Sequence, residues 1–163
     1  MSFLKDGVVS IEELKVPGKD RRQKEPYIVI ECLQKIPCNP CVDSCPQHAI
    51  TMHPTINDLP EVDYDLCTGC GICVTNCPGL AIFLIDQTFE DNRSLLGLPW
   101  EFFPLPEKGE LVTLLDRAGN PCGKGEVIRI RNSRAQDRTP LVFLAVDHDL
   151  VMVARNFRKI QND

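Results

Sequence analysis

Eight of the nine cysteines in this 163-residue chain fall into two runs whose spacing suits metal–sulfur chemistry. The fuller run, Cys67-Thr68-Gly69-Cys70-Gly71-Ile72-Cys73-Val74-Thr75-Asn76-Cys77-Pro78, reads C-x2-C-x2-C-x3-C-P. Thiolates two residues apart on one tight loop can be aimed at a common centre, as a cubane iron–sulfur cluster requires. Gly69 and Gly71 admit backbone conformations closed to residues with a Cβ, so main-chain N–H groups can approach sulfur. A short helix is expected from Asn76, with Pro78 in its first turn, where a missing N–H costs nothing.

The second run, Cys38-Asn39-Pro40-Cys41-Val42-Asp43-Ser44-Cys45-Pro46, supplies the last three positions of the same pattern. Lys35 stands where the first cysteine belongs. The nearest cysteine upstream is Cys32, which makes the run C-x5-C-x2-C-x3-C-P. The residues at the end of each run also repeat: Cys45-Pro46-Gln47-His48-Ala49-Ile50 against Cys77-Pro78-Gly79-Leu80-Ala81-Ile82. A repeat of about thirty residues with potential ligands in register marks a duplicated unit.

On these motifs residues 27–86 resemble the bacterial-type ferredoxins that carry two 4Fe-4S clusters. The resemblance implies crossed ligation, in which the fourth cysteine of each run serves the other run's cluster. Cys32, Cys38, Cys41 and Cys77 are then expected to hold the first cluster, and Cys67, Cys70, Cys73 and Cys45 the second. Cys32 departs from the family pattern by three residues. Either the 33–37 loop bulges outward and Cys32 still ligates, or the site holds a three-iron cluster. Zinc is the rival metal, since two C-x2-C pairs can bind it tetrahedrally. A structural zinc site does not call for a third cysteine, a fourth and then proline, twice over. Pro37 and Pro40 remove N–H donors from the first loop, so the two clusters are expected to differ in potential.

Composition narrows the setting. Hydrophobic residues make up 43% and charged residues 25%, and the net charge of −5 comes without a basic stripe, which argues against a nucleic-acid partner. No apolar run approaches a membrane span, and the first residues lack the layout of a secretion signal. Grouped C-x2-C spacing without such a signal favours metal over disulfides. A reducing cytoplasm, in an anaerobe or a low-oxygen niche, is the expected location. The ninth cysteine, Cys122, reads as a free thiol near a turn. His48, His53 and His148 share no ligand spacing and read as polar surface residues; His48 is at most a donor to cluster sulfide.

The elements that must position these residues read as an α+β chain. Residues 1–25 form an arm with a charged run at 19–25, expected to be a solvated face. Residues 26–86 carry the two clusters on two βαβ units, with strands at 26–30, 49–52 and 81–85 and short helices from Cys45 and Asn76. Residues 87–110 form an extended linker rich in proline and aromatics. Trp100, Phe102 and Phe103 there either cement the chain's two parts or bury against another subunit. Residues 111–163 form a small antiparallel β-barrel or sheet, with strands near 111–115, 126–131, 141–146 and 151–154 and a turn at 132–139.

The 36–41 and 98–109 segments together are similar to the small ferredoxin-like subunits of multi-subunit flavin-dependent amino-acid dehydrogenases of the proline or hydroxyproline type. That resemblance implies FAD on partner flavoprotein subunits and not on this chain, and a catalytically inert electron-transfer subunit. A free-standing soluble carrier is the alternative.

Overall fold

A computed structural model describes residues 3–136 and 139–160. Positions 137 and 138 of the expected 132–139 turn, and both chain ends, lie outside the described residues. β1 (Tyr27–Ile30), β4 (Ile82–Asp86), β5 (Arg93–Pro99), β6 (Leu111–Leu115), β7 (Pro121–Arg131), β8 (Leu141–Asp147) and β9 (Asn156–Lys159) form one seven-stranded sheet. Its order is β1-β4-β5-β8-β7-β6-β9, with every pair antiparallel. β2 (Ile50–Thr51) and β3 (Glu61–Val62) pair separately. Among the described residues, short α-helices accompany them: α1 (Phe3–Asp6), α2 (Lys19–Arg22), α3 (Pro40–Asp43) and α4 (Ile72–Asn76).

Strand periodicity divides the large sheet into two cores. Tyr27, Val29, Phe83, Ile85, Leu96, Leu98, Val142 and Leu144 face one side, where they meet Val112, Leu114, Val127 and Phe157. Ile28, Ile30, Ile82, Leu84, Leu95, Leu141 and Phe143 face the other, against Cys41, Cys67, Cys73, Val74 and Ile50. β1, β4, β5 and β8 are buried on both faces, which is why they read as continuous apolar runs and not as alternation. Burying one such side chain contributes about 1.5–3 kcal/mol, so these strands bear most of the molecule's cohesion.

Several expectations are corrected. The stretch 93–99, read as linker, is β5, and it joins β4 to β8 in the middle of the sheet. The rest of the expected linker, 87–92 and 100–110, lies outside the strands, the latter in keeping with Pro99, Pro104 and Pro106. The helices end before the fourth cysteine of each run instead of starting there. Pro40 takes the first-turn position of α3, whereas Pro46 and Pro78 come after helix ends, where proline blocks continuation. Residues 151–154 are a helical turn, with Val153 and Ala154 N–H both donating to Leu150 O; Val151 and Ala154 are buried at a spacing of three. The last strand comes later, as β9.

The aromatic segment is packed at home only in part. Trp100 stacks on Phe157 with ring centres 3.9 Å apart and is buried, whereas Phe102 and Phe103 remain 61% and 86% exposed.

A buried ion-pair group ties the two ends of the sheet together. Glu31, just after β1, receives bidentate bonds from Arg117 (2.9 and 2.7 Å) and one from Arg155, which precedes β9. Arg155 also lies over the Phe83 ring, 4.9 Å from its centre.

Candidate iron–sulfur centre

Each cysteine run starts from a strand or turn and closes through a short helix. Asn39 and Gly71 occupy the N-cap positions of α3 and α4. At Gly71 the backbone is left-handed, φ 75°, a conformation that glycine adopts without a Cβ penalty. After each helix the chain makes the same turn twice. His48 N donates to Cys45 O and Leu80 N to Cys77 O, both at 3.1 Å. His48 and Leu80 both carry positive φ, 51° and 52°. The next residue then donates to sulfur: Ala49 N to Cys45 Sγ at 3.3 Å, and Ala81 N to Cys77 Sγ at 3.5 Å. An N–H aimed at a cysteine sulfur stabilises negative charge there.

The eight thiols gather into two groups that cross between the runs. Burial raises the Cys32 thiol above its ordinary pKa, and Cys77 and Cys38 raise it further. Cys41 is pushed up to about 11 by burial and by the same two neighbours. Cys73 is raised most, by burial and then by Cys67, Cys70 and Cys45, with Cys41 also in range. Thus Cys77 of the second run stands among the thiols of the first, and Cys45 of the first among those of the second. The Cys41–Cys73 proximity makes the two groups neighbours.

Cys45, Cys67, Cys70 and Cys73 line one small cavity, walled by Ile28, Ala49 and Ile50 and by the backbone around Thr68, Gly69 and Gly71. Soft thiol donors in an apolar wall with no carboxylate suit an iron–sulfur cluster or zinc, and not magnesium or calcium. Thiols raised in this way stay protonated until a cation displaces the proton, so metal loading releases protons.

The remaining sequence candidates stand elsewhere. Lys35 turns outward, 69% exposed, to Asp58 at 2.9 Å. His48 and His53 are exposed. His148 bonds the buried Ser94 hydroxyl through Nδ1 at 2.7 Å and Asp91 O through Nε2 at 3.0 Å, far along the sheet from the cysteines. Cys122 is a partly exposed free thiol on β7.

Arg21 is an exception within the charged run, whose Lys19, Asp20, Gln23, Lys24 and Glu25 are exposed as expected. It donates to the carbonyls of Tyr64 (2.9 Å), Glu25 (2.9 Å), Pro26 (3.1 Å) and Cys67. On the other side of the same loop, Arg131 Nη1 donates to Cys70 O at 2.8 Å. Neither arginine carries a sequence signal that separates it from its charged neighbours. The paired turns at His48 and Leu80, by contrast, are foreshadowed by the repeat itself.

Comparison with known proteins agrees with the geometry. Residues 36–81 match the family described as the 4Fe-4S dicluster domain. Over 51 residues the chain is 41% identical to the ferredoxin-type protein NapF of Escherichia coli, covering 30% of this chain and 31% of that one. Over 76 residues it is 34% identical to pyruvate synthase subunit PorD of Methanothermobacter marburgensis, covering 42% and 84% respectively. Over 66 residues it is 35% identical to NADH-quinone oxidoreductase subunit I of Pelobacter propionicus, covering 34% and 36%. The matched stretch spans about a third of the length of the NapF relatives. No solved structure gives a significant match.

Proposed function

The chain belongs to the 4Fe-4S dicluster family, and from that premise we propose that it is an electron-transfer subunit of an oxidoreductase complex. Cys32, Cys38, Cys41 and Cys77 hold one cluster, and Cys67, Cys70, Cys73 and Cys45 hold the other. When bound, each cluster takes up and returns a single electron. The chain's part is to fix the two clusters as neighbours, to wall them with apolar side chains, and to set N–H donors on Cys45 and Cys77.

The observation that carries this reading is the crossing of the thiol groups. Crossed groups behind runs that end in C-x2-C-x3-C-P are the layout of two-cluster iron–sulfur proteins. The placing of Cys32 beside Cys38 and Cys77 favours the bulged-loop reading over a three-iron site.

Partner subunits carrying FAD, in a reducing cytoplasm, complete the proposal. It is supported by similarity to proteins named as subunits of pyruvate synthase and of NADH-quinone oxidoreductase, and by the resemblance of the 98–109 segment. In this reading 26–86 carries the clusters, 111–163 docks, and Phe102 and Phe103 offer apolar surface to a partner.

Iron and acid-labile sulfide per chain, with EPR of oxidised and reduced protein purified without oxygen, test the assignment. Roughly eight irons per chain and a silent oxidised state are expected. Roughly seven irons with a three-iron signal on oxidation would remove Cys32 from the ligands. Zinc in place of iron would overturn the reading.

A further inference from the structure

We propose that Arg21 and Arg131 form a cationic clamp on the 67–70 loop that raises the reduction potential of the cluster held there above that of its neighbour. The inference rests on the ligand sets proposed above and extends them to the direction in which an electron settles.

Both guanidinium groups bond directly to the main chain of ligand cysteines. Arg21 reaches Cys67 O from one side, its planar head occupied by three further carbonyls, those of Tyr64, Glu25 and Pro26. Its side chain is only 14% exposed, and Glu25 approaches no closer than 4.0 Å, with a carboxylate that is itself more than half exposed. Arg131 reaches Cys70 O from the other side. A Cβ on Gly71 would lie 2.8 Å from Arg131 Nη2, so the absent side chain lets the guanidinium close on the loop. Arg129 adds a third positive group, 4.1 Å from the centre of the Phe143 ring. Arg131 forms no ion pair among the described residues.

The first cluster's surroundings differ in kind. Lys35, the cation nearest in sequence to its ligands, is paired with Asp58 and turned to solvent. Arg117 and Arg155 bond the side chain of Glu31, the residue before Cys32, and the carbonyls of Met152, Val151 and Ala154, but neither bonds the main chain of a ligand cysteine and their charge is met by the Glu31 carboxylate. Reduction adds one negative charge to a cluster. Fixed positive charge that is hydrogen-bonded to the ligand backbone favours that added charge, and it does so more strongly where water is excluded. Carbonyls held by Arg21 and Arg131 are also less available to repel it. The clamp therefore opposes the burial of Cys67 and Cys73, which by itself disfavours the more charged state.

An EPR-monitored redox titration of the full chain, loaded with iron and free of oxygen, tests this. Two one-electron steps are expected in the wild type. In Arg131→Gln and in Arg21→Gln the upper step should move down while the lower step holds its place. Arg131→Lys should restore the upper step, since it keeps the charge and loses only the planar fork. Raising the salt concentration should shrink the effect of Arg131, which is solvent-accessible, more than that of Arg21. Arg131 stands at the surface, so its substitution leaves the core intact and keeps the test readable should Arg21→Gln lose iron. Unmoved steps in Arg131→Gln with full iron would overturn the clamp and leave the two-cluster assignment standing. Equal movement in Arg131→Gln and Arg131→Lys would overturn it too, as a packing effect independent of charge. Full iron retained by Cys70→Ala would instead overturn the ligand assignment, and the clamp with it.

Discussion

Replacing Gly69 by alanine is expected to halve the iron of the purified chain, from roughly eight atoms to roughly four. Gly69 has φ 61°, and a Cβ built there lies 2.6 Å from both the carbonyl carbon and the Cβ of Pro26. The left-handed conformation alone costs a residue with a side chain about 1–2 kcal/mol. The collision is worse, because Pro26 has little freedom to move away. It leads directly into β1, whose four residues are buried and paired with β4, and its carbonyl is held by Arg21. The 67–70 loop must shift instead, which spoils the convergence of Cys67, Cys70 and Cys73. Cys32, Cys38, Cys41 and Cys77 lie outside that loop, so one cluster should survive. Gly109→Ala is the control: its φ is 84° but nothing lies within 4 Å of the added carbon. It should cost about 1–2 kcal/mol and keep all the iron. Full iron in Gly69→Ala would overturn the argument.

The second large effect is expected at Glu31. Glu31→Gln should destabilise the chain by about 3–5 kcal/mol, because it leaves Arg155 and Arg117 buried with their charge uncompensated. Their side chains are only 5% and 10% exposed, so water cannot replace the lost partner. Burial alone would raise the Glu31 carboxyl pKa. The hydrogen bonds of Arg117 and the charge and hydrogen bond of Arg155 outweigh it and hold the group below its ordinary value. Arg155 is lowered by the same burial, yet an arginine starts too high to discharge near neutrality. These directions give the pH effect its sign. A carboxylate lowered on folding contributes stability that is fully present above its unfolded pKa, near 4.5, and is lost as pH falls through the folded value. Denaturant midpoints measured from neutral pH down to pH 3 should fall in the wild type below about pH 4.5. That part of the decline should be missing in Glu31→Gln. A variant within 1 kcal/mol of wild type would show that the group is not the seam it resembles.

How far the sequence reaches depends on what each element answers to. The cysteine spacing was legible because ligand convergence imposes it locally, and the same local necessity produced two superposable turns ending in Ala49 and Ala81. β5 was not legible. Pro99, Pro104 and Pro106 dominate any window over that region, and the Leu95–Leu98 run looks the same in an apolar linker as in a strand buried on both sides. Residues 151–154 misled in the opposite way, since Val151 and Val153 read as a strand while burial falls on Val151 and Ala154, three apart. The helices moved upstream of the fourth cysteines because Asn39-Pro40 and Gly71 start them, and the prolines downstream had looked like starts themselves. Arg21 lay hidden in a run whose members are alike until tertiary structure sets four carbonyls around one of them. The Glu31 group joins residues 86 and 124 positions apart, and no local pattern announces it.

The shared sheet has a bearing on solubility. Tyr27, Val29, Phe83 and Ile85 turn away from the cysteines into a core completed by strands far downstream. A fragment stopped at Asp86 would present that apolar face to water, and the edge of β4 would lose the strand that caps it. An open edge beside a bare apolar face is the usual seed of strand-to-strand self-association. The cysteine-bearing segment is therefore no portable cassette, and the strands after it act as its shield against aggregation.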